Sequence, residues 1–290
     1  MLVVSALITG LGLGSMYGLL ALGFHVTYAV SATVNFAQGS SMMLGAVFAY
    51  VFTVRLGFPV FVSAFISLSL CAAYGVLVER LAVRPFVRRG SNAWLMATVA
   101  LGIVADNTVL FTFGKEPRGF QMAWAQGGVE VAGIHVSFLQ IFIPVIGLLF
   151  AFLLSYFSNN TRQGKAMLAV VQNPEAARLM GINVPVAICA AFALSAALAG
   201  VAGMLIAPLF NVNADMGTVF GLKAFAVAIL GGISSAWGVM LAGLLFGATE
   251  ALITALLGST YTQILTFALV IVALALKPDG LFGRAEVKKV

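Results

Sequence analysis

Seven long apolar runs constrain this chain more than any other feature of its sequence. Each is close to the roughly 20 residues that a helix needs to cross a bilayer core. Two further apolar segments, Ser40–Thr53 and Val219–Ile233, are short or interrupted. Because the runs are continuous, whereas barrel strands alternate apolar with polar residues, the spans are predicted to be helices. The full-length runs are Leu2–Tyr28, Val60–Val78, Trp94–Phe113, Phe138–Phe157, Val184–Ile206, Trp237–Leu257 and Tyr261–Leu276.

The composition excludes most other classes of protein. Of the 290 residues, 62% are hydrophobic and only 8% are charged, against about 25% charged in soluble domains. A soluble chain of this size cannot hide that much apolar surface, which rules out a cytosolic enzyme, a nucleic-acid-binding domain and a disordered chain. The sequence predicts an all-α fold, a single polytopic transmembrane helical bundle over residues 1–290, with about eight or nine crossings and short or interrupted half-helices.

The distribution of basic residues predicts the orientation in the membrane. Of the 15 lysines and arginines, 11 fall in two loops and the C-terminal tail. By the positive-inside rule these three segments face the cytoplasm, which places loop 158–183 and the C-terminus inside and loop 114–136 outside. The 11 residues are Arg80, Arg84, Arg88, Arg89, Arg162, Lys165, Arg178, Lys277, Arg284, Lys288 and Lys289.

Small residues recur at helical spacing on three of the predicted spans, where they allow helix backbones to approach closely. Two interpretations are open: tight packing within one chain, or pairing with a second subunit. The residues are Gly10, Gly14 and Gly18 on the first span, Ser195, Ala199, Gly203 and Ala207 on another, and Gly243 and Gly247 on a third.

A short capped helix is predicted inside the second basic loop. Asn173 is a good N-cap, Pro174 fits the first helical position and Gly181 is a good stop. Three apolar residues share one face, and Glu175 and Arg178 are expected to be exposed. Such a helix suits docking into a groove of another protein, or else rests on lipid. The segment is Asn173, Pro174, Glu175, Ala176, Ala177, Arg178, Leu179, Met180 and Gly181.

Polar residues precede both short apolar segments. Asn35, Phe36, Gln38 and Gly39 lead into the first, and the stretch Pro208–Gly217 leads into the second. Short, glycine-interrupted segments point to the substrate pathway of a transporter, since non-helical backbone at membrane depth needs protein or a water-filled cavity around it. The alternative is a surface hairpin and a short tilted helix.

Ionisable residues within the spans are further candidates for the pathway. A charge at the bilayer centre costs about 2.5–3.5 kcal/mol, so each needs a partner or a wet cavity. Asp106, beside Asn107, and Glu250 lie deep in their predicted spans, and Lys223 lies near one end of its segment. The alternatives are a structural ion pair or hydrogen bond, and a snorkelling lysine. Glu79 is expected to anchor a helix end.

The sequence contains no pattern typical of catalysis or metal binding. It lacks a G-x-x-x-x-G-K-[ST] phosphate loop, H-E-x-x-H, G-x-S-x-G and any Cys/His cluster with metal-ligand spacing. His25 is expected to be a buried, hydrogen-bonded imidazole and not a ligand. We therefore expect no catalytic residue, no metal and no cofactor in this chain.

Four motifs, spread over the whole chain, resemble those of one family and keep that family's order. Asn35–Gly39 resembles an NFAHG segment, and Ala176–Asn183 is similar to the end of a cytoplasmic coupling loop. Gly221–Gly232 resembles the most recognisable stretch of the family, and Lys277–Arg284 resembles its tail. The chain resembles the membrane permease subunits of the Liv-type branched-chain amino-acid ABC importers.

The resemblance implies a function and a set of partners. Such a permease pairs with a second, usually longer permease in the bacterial inner membrane, above two ATPase subunits that hold ATP and Mg²⁺. An external binding protein delivers leucine, isoleucine, valine or a related molecule. The helix at residues 173–181 would insert into an ATPase groove. Gln38 stands where histidine is typical, which leaves open a permease for urea or an aromatic compound. An ion-coupled secondary transporter acting alone is the alternative outside the family.

Overall fold

The computed structural model describes residues 2–120, 127–131 and 134–283. Parts of the predicted external loop, and the tail cations Arg284, Lys288 and Lys289, lie outside the described residues. Within them the chain forms twelve α-helices. These are α1 (Leu2–Ser31), α2 (Gln38–Tyr50), α3 (Val60–Val78), α4 (Arg84–Val87), α5 (Trp94–Phe113), α6 (Phe138–Asn160), α7 (Arg162–Gln172), α8 (Pro174–Leu179), α9 (Val184–Ile206), α10 (Met216–Gly231), α11 (Ala236–Leu257) and α12 (Ser259–Leu276).

Seven of these helices are long and apolar enough to cross a membrane, and α10 is a shorter apolar helix. The seven correspond to the seven apolar runs, which confirms a polytopic helical membrane protein with roughly eight crossings. The third span continues through a π-helical turn, Glu79–Val83, into α4, so that its apolar helix runs over Val60–Val87. A second π-helical turn, Val51–Arg55, follows α2.

Two elements were not anticipated from the sequence. The first is a small antiparallel hairpin of β1 (Gly128–Val131) and β2 (Ile134–Ser137), which adds a strand pair to a fold that is otherwise helical. The second is α7, since the sequence suggested only one short helix in this loop. The hydroxyl of Thr161 caps α7 by accepting from the amide of Gly164 at 3.0 Å.

The chain divides into two compact units. The first unit comprises the described residues within 1–25, 123–155 and 223–290, and the second those within 26–122 and 156–222. In the first unit the glycines of α1 pack on those of α11. A Cβ at Gly14 would collide with the carbonyl oxygen of Gly243 and lie 2.9 Å from Cα of Leu244. These two stripes therefore pack on each other within one chain.

In the second unit, α9 packs between α2 and α3. A Cβ at Gly45 of α2 would lie 2.6 Å from the carbonyl oxygen of Gly200, and one at Gly203 would lie 3.0 Å from the amide nitrogen of Ala46. Ser195 and Ala199 of the same stripe are fully buried. The small residues of α9 also serve packing within the chain, which is the first of the two interpretations.

Glu79 does more than anchor a helix end. Its side chain is only 2% exposed and forms an ion pair with Arg84, in which Nε and Nη2 of the arginine each donate to a carboxylate oxygen at 2.8 Å. The two residues are five positions apart, across the π-helical turn. This turn brings the two side chains together where α3 gives way to α4.

Candidate functional site

Helix α8 begins with the predicted cap. Oδ1 of Asn173 accepts from the amide of Glu175 at 3.1 Å and from that of Ala176 at 3.0 Å. Pro174 occupies the first helical position, where its missing N–H costs nothing. Two amides of the first turn are therefore satisfied by one side chain, and the backbone angle of the next residue is already helical.

The helix also ends as predicted. Gly181 has φ +84°, a left-handed conformation that a residue with a Cβ adopts only at a cost. Its amide donates to the carbonyl of Arg178, and the amide of Ile182 donates to that of Ala177, both at 3.0 Å. This pair of bonds is a Schellman motif, which satisfies carbonyls that a helix end otherwise leaves open.

None of the described residues covers the apolar face of α8. The side chains of Leu179 and Met180 are 89% and 82% exposed, and Ala176 is also exposed. Ala177 of the same helix is buried. These apolar side chains are available for contact with another protein or with lipid.

The structure brings the two short apolar helices together at their first turns. A Cβ at Gly217 of α10 would lie 2.6 Å from the carbonyl oxygen of Gly39 of α2, and a Cβ at Gly39 would lie 3.2 Å from Cα of Gly221. Each first turn has glycine at its second position and a hydroxyl, Ser40 or Thr218, at its third. The two interrupted segments therefore meet, and their lining of a substrate pathway stays a prediction.

Asp106 of α5 joins this junction. Its carboxylate lies beside the hydroxyls of Ser40 and Thr218 and close to Asp215. One of its oxygens, Oδ1, is buried without a hydrogen-bond partner among the described residues. Asn107 does not belong to the cluster, since its side chain is exposed and donates to the carbonyl of Ile103 on its own helix at 2.8 Å.

Asn35 and Gln38 are held in a buried network. Oδ1 of Asn35 accepts from the amide of Ala37 at 3.0 Å, which fixes the turn before α2. Gln38 is fully buried, accepts from Oγ of Ser195 at 2.9 Å and donates to the carbonyl of Ser195 at 3.0 Å. These contacts tie the start of α2 to α9, and Phe36 beside them is partly buried. The structure thus shows Gln38 joining two helices, and its place in the pathway stays a prediction.

Lys223 and Glu250 form one ion pair within the first unit. Their side chains are 15% and 11% exposed, and Nζ of Lys223 also donates to the hydroxyl of Tyr17 at 3.3 Å. The lysine therefore does not snorkel towards water. The sequence did not point to Tyr17. It did place Lys223 and Glu250 in separate apolar runs, and opposite charges in such runs are expected to pair.

His25 is buried and donates from Nδ1 to the carbonyl of Ile233 at 2.7 Å. Both residues belong to the first unit. The expected hydrogen-bonded imidazole is confirmed.

This chain is similar in sequence to known transport proteins over nearly its whole length. A family model described as the permease component of the branched-chain amino acid transport system matches residues 6–274. The high-affinity branched-chain amino acid permease LivH of Escherichia coli K12 is 33% identical over 97% of this chain and 96% of its own length. BraD of Pseudomonas aeruginosa is 33% identical over 98% and 97% of the two chains. The probable LivH of Methanocaldococcus jannaschii is 28% identical over 91% and 88%.

The matches extend over nearly the whole length of both this chain and its relatives. Seven of the described helices are long and apolar enough to cross a membrane. The chain belongs to the family of branched-chain amino acid transport permease components, multi-pass membrane proteins that work with ATPase and substrate-binding partners.

Proposed function

We propose that this chain is a permease subunit of an ATP-driven importer for branched-chain or related hydrophobic amino acids. It forms half of the translocation pathway together with a second, different and longer permease chain. An external binding protein supplies the substrate, and two cytoplasmic ATPase subunits bind and hydrolyse ATP with Mg²⁺. Family membership supports the class of transporter, and the names of LivH and BraD support the class of substrate.

The exposed face of α8 is the observation that carries this proposal. A helix of six residues is not stable on its own, so the caps at both ends hold it ready to dock. Burying a large apolar side chain stabilises a complex by about 1.5–3 kcal/mol, and Leu179 and Met180 are both available for this. The basic residues of the same loop favour the cytoplasmic side, where ATPase subunits reside.

A paired substitution tests the coupling. Leu179→Ser with Met180→Ser removes the apolar contact and leaves the caps intact. We expect ATP hydrolysis to lose its stimulation by loaded binding protein in proteoliposomes of the complete transporter. Ala177→Pro, which removes the bond from its amide to the carbonyl of Asn173, should have the same effect.

The matched control is Gln163→Ser with Gln172→Ser, two exposed residues of the neighbouring α7. These changes should leave stimulation at the wild-type level. Full stimulation in the Leu179→Ser/Met180→Ser transporter, with the subunits still assembled, would remove α8 from the coupling.

Asp106 is the proposed pathway residue that distinguishes an amino acid from an uncharged solute. A carboxylate with one oxygen unpartnered, beside the hydroxyls of Ser40 and Thr218, matches the ammonium group of an amino acid. Urea carries no such charge. Glu250 is neutralised by Lys223, which removes one of the two deep acids that an ion-coupled transporter would use.

Uptake kinetics test this assignment. Asp106→Asn should lower the rate of leucine uptake in proteoliposomes at saturating binding protein. Thr108→Ala is the control, because Thr108 is exposed two positions away and its hydroxyl donates to its own helix. Unchanged leucine uptake with Asp106→Asn would exclude the carboxylate from the pathway.

A further inference from the structure

A cavity of about 740 Å³ lies in the second unit, next to α8. It opens where three spanning helices end or begin: α1 stops at Ser31, the third span stops at Val87 and α9 starts at Val184. Amphipathic α7 and the start of α8 complete its wall. The ends of spanning helices lie at the level of lipid headgroups, so the cavity lies at the boundary between the membrane and water.

The lining combines an apolar wall with a cluster of arginines. Val83, Val170 and Ile188 contribute apolar surface, and Arg84, Arg88 and Arg178 contribute guanidinium groups. The cavity is therefore suited to a molecule that has both an anionic part and an apolar part. A soluble inorganic anion has no apolar part that could contact the valines and the isoleucine.

The positive charge of the cavity is not balanced within the chain. Glu79 is the one acidic residue of its lining, and two hydrogen bonds tie it to Arg84. Among the described residues, Arg88 and Arg178 have no ion pair. Glu175 lies three positions before Arg178 but does not line the cavity. Two positive charges are left facing the space.

We propose that this cavity binds the headgroup of an anionic phospholipid, with Arg88 and Arg178 on its phosphate. The apolar wall then contacts the glycerol backbone and the first carbons of the acyl chains. Basic pockets between spanning helices at the cytoplasmic surface bind such headgroups, and the basic loops assign this end of the second unit to that leaflet. The lipid would connect the end of the third span to α8.

Lipid retention by the assembled transporter tests the site. The complex is placed in nanodiscs of phosphatidylcholine with and without phosphatidylglycerol, and bound lipid is measured by native mass spectrometry. Arg88→Gln with Arg178→Gln should weaken retention of phosphatidylglycerol by about fivefold for each arginine removed, or about 30-fold together. This readout does not depend on ATPase coupling.

The control removes the same charge from the same loops. Arg80→Gln with Arg162→Gln changes two exposed arginines that do not line the cavity, and retention should stay within about twofold of wild type. Equal loss in both double variants, or loss in neither, would overturn the proposal. Inorganic phosphate that stabilises the wild-type complex in pure phosphatidylcholine as strongly as phosphatidylglycerol does would show a site for free anions instead.

A second measurement uses only the wild-type complex. Photoactivatable phosphatidylglycerol should form adducts within residues 83–88 and 170–178. Adducts confined to other helix surfaces would overturn the proposal.

Discussion

The ion pair between Lys223 and Glu250 allows a quantitative prediction about stability. Both side chains are almost fully buried within the first unit, and Tyr17 is the third member of the cluster. Removing one partner of a buried pair leaves an uncompensated charge, which costs about 3–5 kcal/mol. Replacing both partners removes the attraction together with the burial cost of the charges.

We expect Lys223→Met and Glu250→Gln each to lower the free energy of unfolding by about 3 kcal/mol. The double variant should lose no more than about 3 kcal/mol and not the sum of about 6, which corresponds to a coupling energy of at least about 3 kcal/mol. Reversible unfolding by sodium dodecyl sulfate in lipid–detergent bicelles measures the free energy of unfolding of the wild type, both single variants and the double variant, which together form a double-mutant cycle.

The control cycle combines Lys223→Met with Thr249→Ala, since Thr249 is only partly buried and its hydroxyl donates to its own helix. Those two changes should be additive within about 0.5 kcal/mol. If Lys223→Met and Glu250→Gln were additive to the same degree, the pair would contribute nothing specific and the reasoning from burial would be refuted.

Three further predictions concern packing and caps. Gln38→Ala removes two buried hydrogen bonds to Ser195 and should lower the free energy of unfolding by about 2–3 kcal/mol. Unchanged stability together with an altered KM for uptake would place Gln38 in the pathway. Gly14→Ala should cost about 1–3 kcal/mol by overpacking, whereas Gly12→Ala, with no neighbour closer than 3.6 Å to its Cβ, should be tolerated; equal unfolding midpoints would contradict this packing. Gly181→Ala should speed hydrogen exchange of the following amide about fivefold, while Gly181→Asn, which tolerates positive φ, should change it less; equal rates would contradict the cap.

The spans could be predicted because their physics is local. Bilayer thickness fixes the length of a crossing helix, so apolar runs such as Trp94–Phe113 and Val184–Ile206 matched the observed helices at both ends. The caps of α8 were predictable for the same reason, since Asn173, Pro174 and Gly181 act within one or two turns.

Contacts between distant residues could not be predicted. Gln38 and Ser195 are 157 positions apart, and nothing in the sequence says that α2 and α9 are neighbours. The sequence therefore offered Gln38 as a candidate for the pathway without its bonds to Ser195, and the role in the pathway stays a prediction. The meeting of α2 with α10 was anticipated only as a shared role for two interrupted segments, without the glycine contact that joins them.

The loop before α9 shows a different limit. Helix α7 is amphipathic and only weakly apolar, so its sequence contains no long apolar run that would indicate a helix. Its cap, Thr161, is a residue type that is common at helix N-caps. Glu79 and Arg84 were visible in the sequence, but their pairing depends on a π-helical turn that spacing alone does not reveal.

The central claim is that this permease has no motor of its own and is moved by ATPase subunits that bind α8. Site-specific crosslinking tests it most directly. A single cysteine at Leu179, in a chain with Cys71 and Cys189 replaced by alanine, is labelled with a photoreactive reagent in the assembled transporter. The account predicts that the adduct joins this chain to an ATPase subunit. Labelling of this cysteine only from the extracellular side, or adducts with lipid alone, would contradict it.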